Sequence, residues 1–179
     1  MDATFRVGLL GHGTVGAAFA ELLAELAGPV QRLSIEPGRA LVARACVTLY
    51  TVEGVKDLML ADGPARFVAV DGGMSDNLRP MLYDAVYDVR VADRMEERGE
   101  PATVVGKHCE SGDVLVRDVA LPDPRPGDVL VTPVTGAYGH AMANNYNGVP
   151  RPPVVFCKDG DARVVVRRET LEDLHARDV

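Results

Sequence analysis

Short runs rich in β-branched residues, each bounded by Gly, Pro or Asp, succeed one another along most of the chain. They are "RLSIEP", "LVARACVTLYTVEGV", "RFVAVDGG", "YDVRVAD", "ATVVG", "DVLVRDV", "GDVLVTPV", "PPVVFC" and "ARVVVRR". Runs of this length with turn residues between them read as strands, because β-branched side chains pack well on a pleated surface and Gly, Pro and Asp punctuate it. Nothing after residue 40 alternates strand with helix, so an all-β architecture follows, a Greek-key β-barrel or sandwich. "FCKDGDARVVV" is a hairpin in which Asp159-Gly160 supply the positive backbone angles of a tight turn. "ETLEDLHARDV" reads as a closing C-terminal helix with acidic residues in its first turn, where they favour the helix dipole.

The opening differs in texture. "FRVGLLGHGTVGAAFAELLAELAG" reads as a buried strand, a glycine turn and a helix ended by Gly28. The chain is therefore expected to divide into a short β-α appendage over 1–31 and a β-domain over 32–179. "GHGTVG", Gly11 to Gly16, is a GxGxxG turn between strand and helix, and Glu36 lies about twenty residues beyond it, where a ribose-binding acid is sought. A dinucleotide crevice needs several parallel strands, which nothing after residue 40 supplies. "VGLLGHGTVGAAFAELLAE" resembles the opening of homoserine dehydrogenases, over residues 5–27. That resemblance implies NAD(P) binding as an alternative role.

A chain of 179 residues, 47% hydrophobic and 25% charged, has enough apolar material for one core. Its net charge of -7 is spread without basic blocks, which excludes a nucleic-acid or anionic-membrane footprint. No run reaches the ~18 apolar residues of a membrane span. Val7 to Ala24 is apolar, but Asp2, His12 and Glu21 interrupt the N-terminus and only Arg6 is basic, against the pattern of a signal peptide. Cys46, Cys109 and Cys157 are odd in number and far apart, suggesting neither a disulfide framework nor a metal site. A cytoplasmic protein acting on a small molecule is the expectation.

Four loops carry groups with chemistry. "SIEPGR" sets Glu36 and Arg39 around a Pro-Gly turn, a pattern also found in plain turns closed by a surface ion pair. "VDGGMSDNLRPMLYDA" ends a strand on two glycines, which allow close backbone approach, and presents Arg79 and Tyr83; a guanidinium grips carboxylates with paired hydrogen bonds. "GKHCESGD" flanks the Cys109 thiol with Lys107 and His108, an electropositive setting that favours proton exchange. A cysteine acid, a metal site and a polar hairpin all stay open, the metal weakest because no second ligand pair follows. "TGAYGHAMANNYN" adds Tyr138 and a cluster of amides, and is equally compatible with a capped short helix.

Taken in order, "SIEPGRA", "VAVDGGMSDNLRPMLYDA", "VGKHCESGD", "TGAYGHAMANNYNGVPRP" and "VVRRETLEDL" resemble the C-terminal portion of diaminopimelate decarboxylases, over residues 32–179. The resemblance implies a pyridoxal 5'-phosphate enzyme of lysine biosynthesis, converting meso-2,6-diaminopimelate to L-lysine and carbon dioxide. It implies a dimer in which a cofactor-bearing barrel is completed by this β-domain, with the thiol loop reaching the partner's site. On that basis Glu36 faces the pyridine nitrogen, and Gly38 and Arg39 the phosphate and substrate side. Arg39, Arg79 and Tyr83 take substrate carboxylate, Glu110 takes the distal ammonium, and Tyr138 lines both cofactor and substrate. Cys109 protonates the α-carbon after decarboxylation.

The cofactor-anchoring lysine of that family belongs to an early barrel strand, and the lysines here are Lys56, Lys107 and Lys158. The expectation is a truncated homologue that is not active alone. The alternative to a half-site is a non-enzymatic module that docks on itself or on a barrel-containing decarboxylase through its exposed dimer face.

Overall fold

The computed structural model describes residues 38–179 and Glu21. The described residues after Gly38 belong to the compact unit Pro37–Val179. The β-α appendage, the Gly11–Gly16 turn, Glu36 and the boundary at residue 31 lie outside the described residues.

A helical turn α1 (Arg39–Val42) and a 3-10 turn (Ala43–Ala45) lead into the long strand β1 (Val47–Leu60). Then come β2 (Gly63–Val70), helix α2 (Arg79–Tyr83), β3 (Arg90–Val91), β4 (Glu100–Val105), β5 (Val114–Leu121) and β6 (Val129–Pro133). Two 3-10 turns (His140–Met142 and Tyr146–Gly148) precede the hairpin β7 (Val154–Lys158) and β8 (Asp161–Val166), and α3 (Leu171–His175) follows.

Strands β1 to β6 form one sheet in the order β3-β6-β1-β2-β4-β5, curled into a half-barrel. The curl originates in β1. Its first part pairs with β6, Val47 opposite Pro133 through Thr51 opposite Val129, and its second part with β2, Val52 opposite Val70 through Leu60 opposite Gly63. A bulge between Val52 and Gly54 separates the two halves, and the extra residue bends the strand between them. All neighbours are antiparallel except β2 and β4, where Phe67 to Ala69 run parallel to Thr103 to Val105.

Alternation places Tyr50 and Val52, Val68 and Val70, and Ala102 and Val104 on one face, and these pack with Val89, Val91, Leu115, Val119, Leu121 and Leu130 into a single core. Each fully buried Val or Leu contributes roughly 1.5–3 kcal/mol relative to exposure.

The mainly β expectation therefore holds. In the second hairpin Asp159 and Gly160 adopt φ of 52° and 87°, the left-handed pair that the sequence requires. α3 is a five-residue helix closed by a reciprocal capping box between Thr170 and Asp173. Two stretches depart from the strand reading. Residues 39–45 of "LVARACVTLYTVEGV" and its approach are helical, and "YDVRVAD" contributes only Arg90 and Val91 to the sheet.

Candidate active site

The site is built where β2, β4 and β6 end and hand over to loops. After β2, the chain turns through Gly72 and Gly73, and Asp76 closes the turn by accepting the Gly73 N–H at 2.9 Å. The N–H groups of Asp76 and Asn77 both donate to the Gly73 carbonyl. Burial raises the Asp76 carboxyl above the usual range, while the Gly73 N–H pulls it back. This turn launches α2, whose first residue is Arg79, and Asp84 ends the helix in the left-handed conformation at φ 50°.

The thiol loop between β4 and β5 is fastened to that turn by one buried carboxylate. Asp113, 3% exposed, accepts the Met74 N–H at 2.6 Å and the His108 N–H at 2.8 Å. Lys107 donates its N–H to the Gly72 carbonyl at 3.0 Å, and Gly106 donates to the Asp113 carbonyl at 2.9 Å. The two glycines of "DGG" admit partners from inside the protein: a Cβ on Gly73 would stand 2.7 Å from both Asp113 carboxylate oxygens, and one on Gly72 would strike the Tyr50 ring. Their spacing serves the join between the two loops.

Within the thiol loop, His108 turns inward between exposed neighbours. His108 is buried and its Nε2 lies 2.9 Å from the Ser75 hydroxyl. Cys109 and Glu110 are exposed. The expectation that His108 flanks the thiol as a surface base is therefore corrected: its imidazole is engaged with Ser75, because Asp113 draws the His108 backbone inward. Glu110 accepts a hydrogen bond from the Tyr146 hydroxyl at 2.9 Å. That bond and the carboxylate charge, then lesser contributions that include the Cys109 thiol, raise the Tyr146 phenol above its ordinary value.

A second cluster gathers residues from three stretches. The Arg79 guanidinium sits 5.4 Å from the Tyr83 ring centre and 5.8 Å from that of Tyr138, within cation–π range of both. Tyr138 is held at φ 59°, and its hydroxyl stands 3.0 Å from where a Cβ on Gly38 would lie. Gly38, at φ 24°, leaves that space open. Arg39 begins α1 beside it and is exposed, with no ion pair among the described residues.

Gly38, Arg79, Tyr83 and Tyr138 thus come together, and Cys109 and Glu110 form a second group with Tyr146. No hydrogen bond or ion pair joins the two groups among the described residues. The thiol loop lies against α2, since a Cβ on Gly112 would meet the Met81 side chain at 3.1 Å. Sequence reasoning missed Tyr146, Ser75 and Asp113. "ANNYN" and "MSDN" stood in the quoted motifs, but the partners lie 33 to 39 residues away from one another, beyond any local pattern.

Residues 24–136 match the family model of the pyridoxal-dependent decarboxylase C-terminal sheet domain. The chain belongs to that family. Diaminopimelate decarboxylase of Actinosynnema pretiosum subsp. auranticum is 64% identical over 153 residues, which are 84% of this chain and 34% of that relative. The enzyme of the same name from Synechocystis is 51% identical over 151 residues, 84% of this chain and 32% of its own length. Among solved structures, the M. jannaschii diaminopimelate decarboxylase in co-complex with L-lysine superposes with a TM-score of 0.79 at 34% identity, over 92% of this chain and 37% of that one. The chain spans about a third of the length of the curated relatives it matches. No described helix is long and apolar enough to cross a membrane.

Proposed function

We propose that this chain supplies the substrate and proton-donor half of a diaminopimelate decarboxylase site, for the step from meso-2,6-diaminopimelate to L-lysine. One observation carries the reading: Arg79, Tyr83, Tyr138 and Gly38, drawn from three separate loops, meet on one open surface. Guanidinium and phenol groups together suit a carboxylate, and Arg39 at the head of α1 adds a second guanidinium. The exposed Glu110 carboxylate suits an ammonium group. With the thiol loop of one copy facing the Arg79 cluster of another, as in the dimer that the resemblance implies, a ligand charged at both ends is selected by such opposed groups.

Pyridoxal 5'-phosphate fits one edge of this surface, since Gly38 keeps open the space beside the Tyr138 hydroxyl that a side chain would fill. Glu36, Gly38, Arg39 and Tyr138 would hold it. When bound it supplies an electron sink for the bond to carbon dioxide. Cys109, exposed at the tip of its loop, holds the proton that is delivered to the substrate α-carbon. Lys56 lies within β1, Lys107 in the thiol loop, and Lys158 beside Asp159 in the second hairpin. None belongs to the Arg79 cluster; the resemblance places the anchoring lysine on a cofactor-bearing barrel, which a barrel-bearing subunit would supply in a mixture.

Docking to such a subunit, or to a second copy, is supported by exposed apolar side chains at Leu41, Val47 and Leu49, and at Phe156, Val164 and Leu171. The setting is a cytoplasmic biosynthetic one. Carbon dioxide release from meso-diaminopimelate is the test, using this chain with pyridoxal phosphate, alone and mixed with a diaminopimelate decarboxylase whose own proton-donor thiol is replaced by alanine. We expect nothing from the chain alone and turnover in the mixture, lost again with Cys109→Ala. Equal turnover with Cys109→Ala would sink the reading.

A further inference from the structure

We propose that Tyr146 is a specificity-determining residue that orients the Glu110 carboxylate toward a ligand's distal ammonium group, and that the buried Ser75–His108 pair is the support that positions Tyr146. The inference rests on the reading of Glu110 as the ammonium-binding group.

Glu110 is exposed, and the Tyr146 hydroxyl is its side-chain partner among the described residues. A glutamate at a loop tip samples many rotamers, and a hydrogen bond to one oxygen removes much of that freedom. Here Oε2 is taken by the phenol, and Oε1 is left to receive a cation. A phenol is suited to this task because it is neutral and donates a single hydrogen bond. It fixes the carboxylate without cancelling its charge, as a lysine or arginine partner would.

Tyr146 needs support of its own, since it lies in a 3-10 turn on the surface. Its ring packs on that of His108, with centroids 5.5 Å apart and planes tilted by 59°. His108 is fixed from three directions. Its N–H is held by Asp113 at 2.8 Å, its Nε2 lies 2.9 Å from the Ser75 hydroxyl, and the Asn147 amide approaches Nδ1 at 3.5 Å. An amide N–H can only donate, so the last contact is compatible with the tautomer in which Nδ1 accepts and Nε2–H donates to Ser75. Ser75, 1% exposed, also accepts the Asn144 N–H on its carbonyl at 2.9 Å. Asn144 in turn accepts the Tyr146 N–H on its side chain at 3.0 Å.

These bonds close a circuit through the loop after β2, the thiol loop and the loop after β6. Both the ring and the backbone of Tyr146 are therefore set by Ser75. A packed residue of purely structural purpose has no need to end the circuit on an exposed carboxylate. The raised Tyr146 phenol, caused first by Glu110, gives a direct reporter of the contact.

The test uses the full chain labelled at tyrosine Cζ, with the Tyr146 signal assigned by its loss in Tyr146→Phe. A pH titration of that signal is expected to show ionisation above the ordinary phenol value in the native chain, and a fall in Glu110→Gln. Ser75→Ala, with its fold checked by circular dichroism, is expected to lower it as well, whereas His108→Phe keeps the ring contact and lowers it less than His108→Ala. An unchanged Tyr146 titration in both Ser75→Ala and His108→Ala overturns the support role.

Binding of L-lysine is then compared with that of norleucine, which lacks the distal ammonium. Lysine is expected to bind the native chain more tightly, with affinity reduced about tenfold by Tyr146→Phe, the scale of one lost hydrogen bond to a charged group. If Glu110→Gln abolishes the preference for lysine and Tyr146→Phe leaves it intact, the inference fails and the wider reading stands. If Glu110→Gln changes nothing, or the native chain shows no preference for lysine, the reading of Glu110 fails and takes the inference with it.

Discussion

Asp113 and Met74 stand 39 residues apart in sequence, and the Met74 N–H donates to the buried Asp113 carboxylate at 2.6 Å. The same carboxylate accepts the His108 N–H, so one side chain sets the position of the thiol loop relative to the turn that launches Arg79. Asp113→Ala would leave two backbone donors without their acceptor. Each hydrogen bond to a charged group is worth about 1.5–3 kcal/mol, so the two together amount to roughly 3–6 kcal/mol and Tm is expected to fall on the order of 6–24 °C. Thermal melts followed by circular dichroism check this, and an unchanged Tm would exclude Asp113 as the join.

The glycines around that carboxylate make a sharper prediction. A Cβ on Gly73 would lie 2.7 Å from both Asp113 oxygens, whereas one on Gly54 in β1 would meet nothing within 4 Å. Gly73→Ala should destabilise by about 1–3 kcal/mol through overpacking. Gly54→Ala should be neutral, or stabilise by about 0.4–1 kcal/mol through the unfolded state. Urea denaturation of the two variants compares them directly, and equal midpoints would show that the approach to Asp113 is not tight.

The strands were legible because their period is local: Val68 and Val70, or Ala102 and Val104, face the core two residues apart, and the Asp159-Gly160 turn declares itself by its two positive φ angles. The helical start at residues 39–45 was not, since "ALVARA" is as apolar as the strand it precedes and the switch is made by tertiary contacts such as the Gly136 N–H on the Ala43 carbonyl. The motifs pointed to Arg79 and Tyr138 separately. Their meeting depends on the register of β1 with both β2 and β6 across the bulge at Val52, which no single segment encodes. His108 was misjudged for the same reason: a histidine beside a surface thiol looks exposed until Asp113 and Ser75 are seen to hold it from within.

The tail of the domain is tied down by a carboxylate that predicts a pH dependence. Glu169 accepts the Arg151 N–H at 2.8 Å, the Asn145 amide at 2.6 Å and the Arg151 guanidinium at 2.8 Å. The backbone bond from Arg151, followed by the Asn145 amide, holds the Glu169 carboxyl below its usual value. A group whose folded value is depressed contributes stability above its unfolded value, near 4.5, and that contribution is lost as pH falls through the folded one. The protection of the Arg151 amide, its exchange rate relative to that of an unprotected amide at the same pH, should therefore fall in acid below about pH 4.5, the ordinary carboxyl range. Glu169→Gln should exchange faster at neutral pH and lose most of the acid dependence. If native and variant chains share the same acid limb, Glu169 is not its source.

The accessibility of the thiols offers a test of the site that needs no turnover. Cys109 and Cys157 are exposed, while Cys46 is partly buried, donating to the Val47 carbonyl with the Thr135 hydroxyl beside its sulfur. Iodoacetamide should modify Cys109 and Cys157 first and Cys46 last, as mass spectrometry of the digested chain would record. Cys109→Ala should shift stability by no more than about 0.5 kcal/mol, as an exposed side chain without packing contacts does. The informative comparison is between the two exposed thiols. A ligand held by Glu110 shields the adjacent Cys109 and leaves Cys157, in the separate β7–β8 hairpin, untouched. Protection of Cys109 by L-lysine and not by norleucine is therefore the expected pattern. Protection of both thiols alike would reduce the effect to general screening by the additive, and protection of neither would separate the thiol from the binding of substrate.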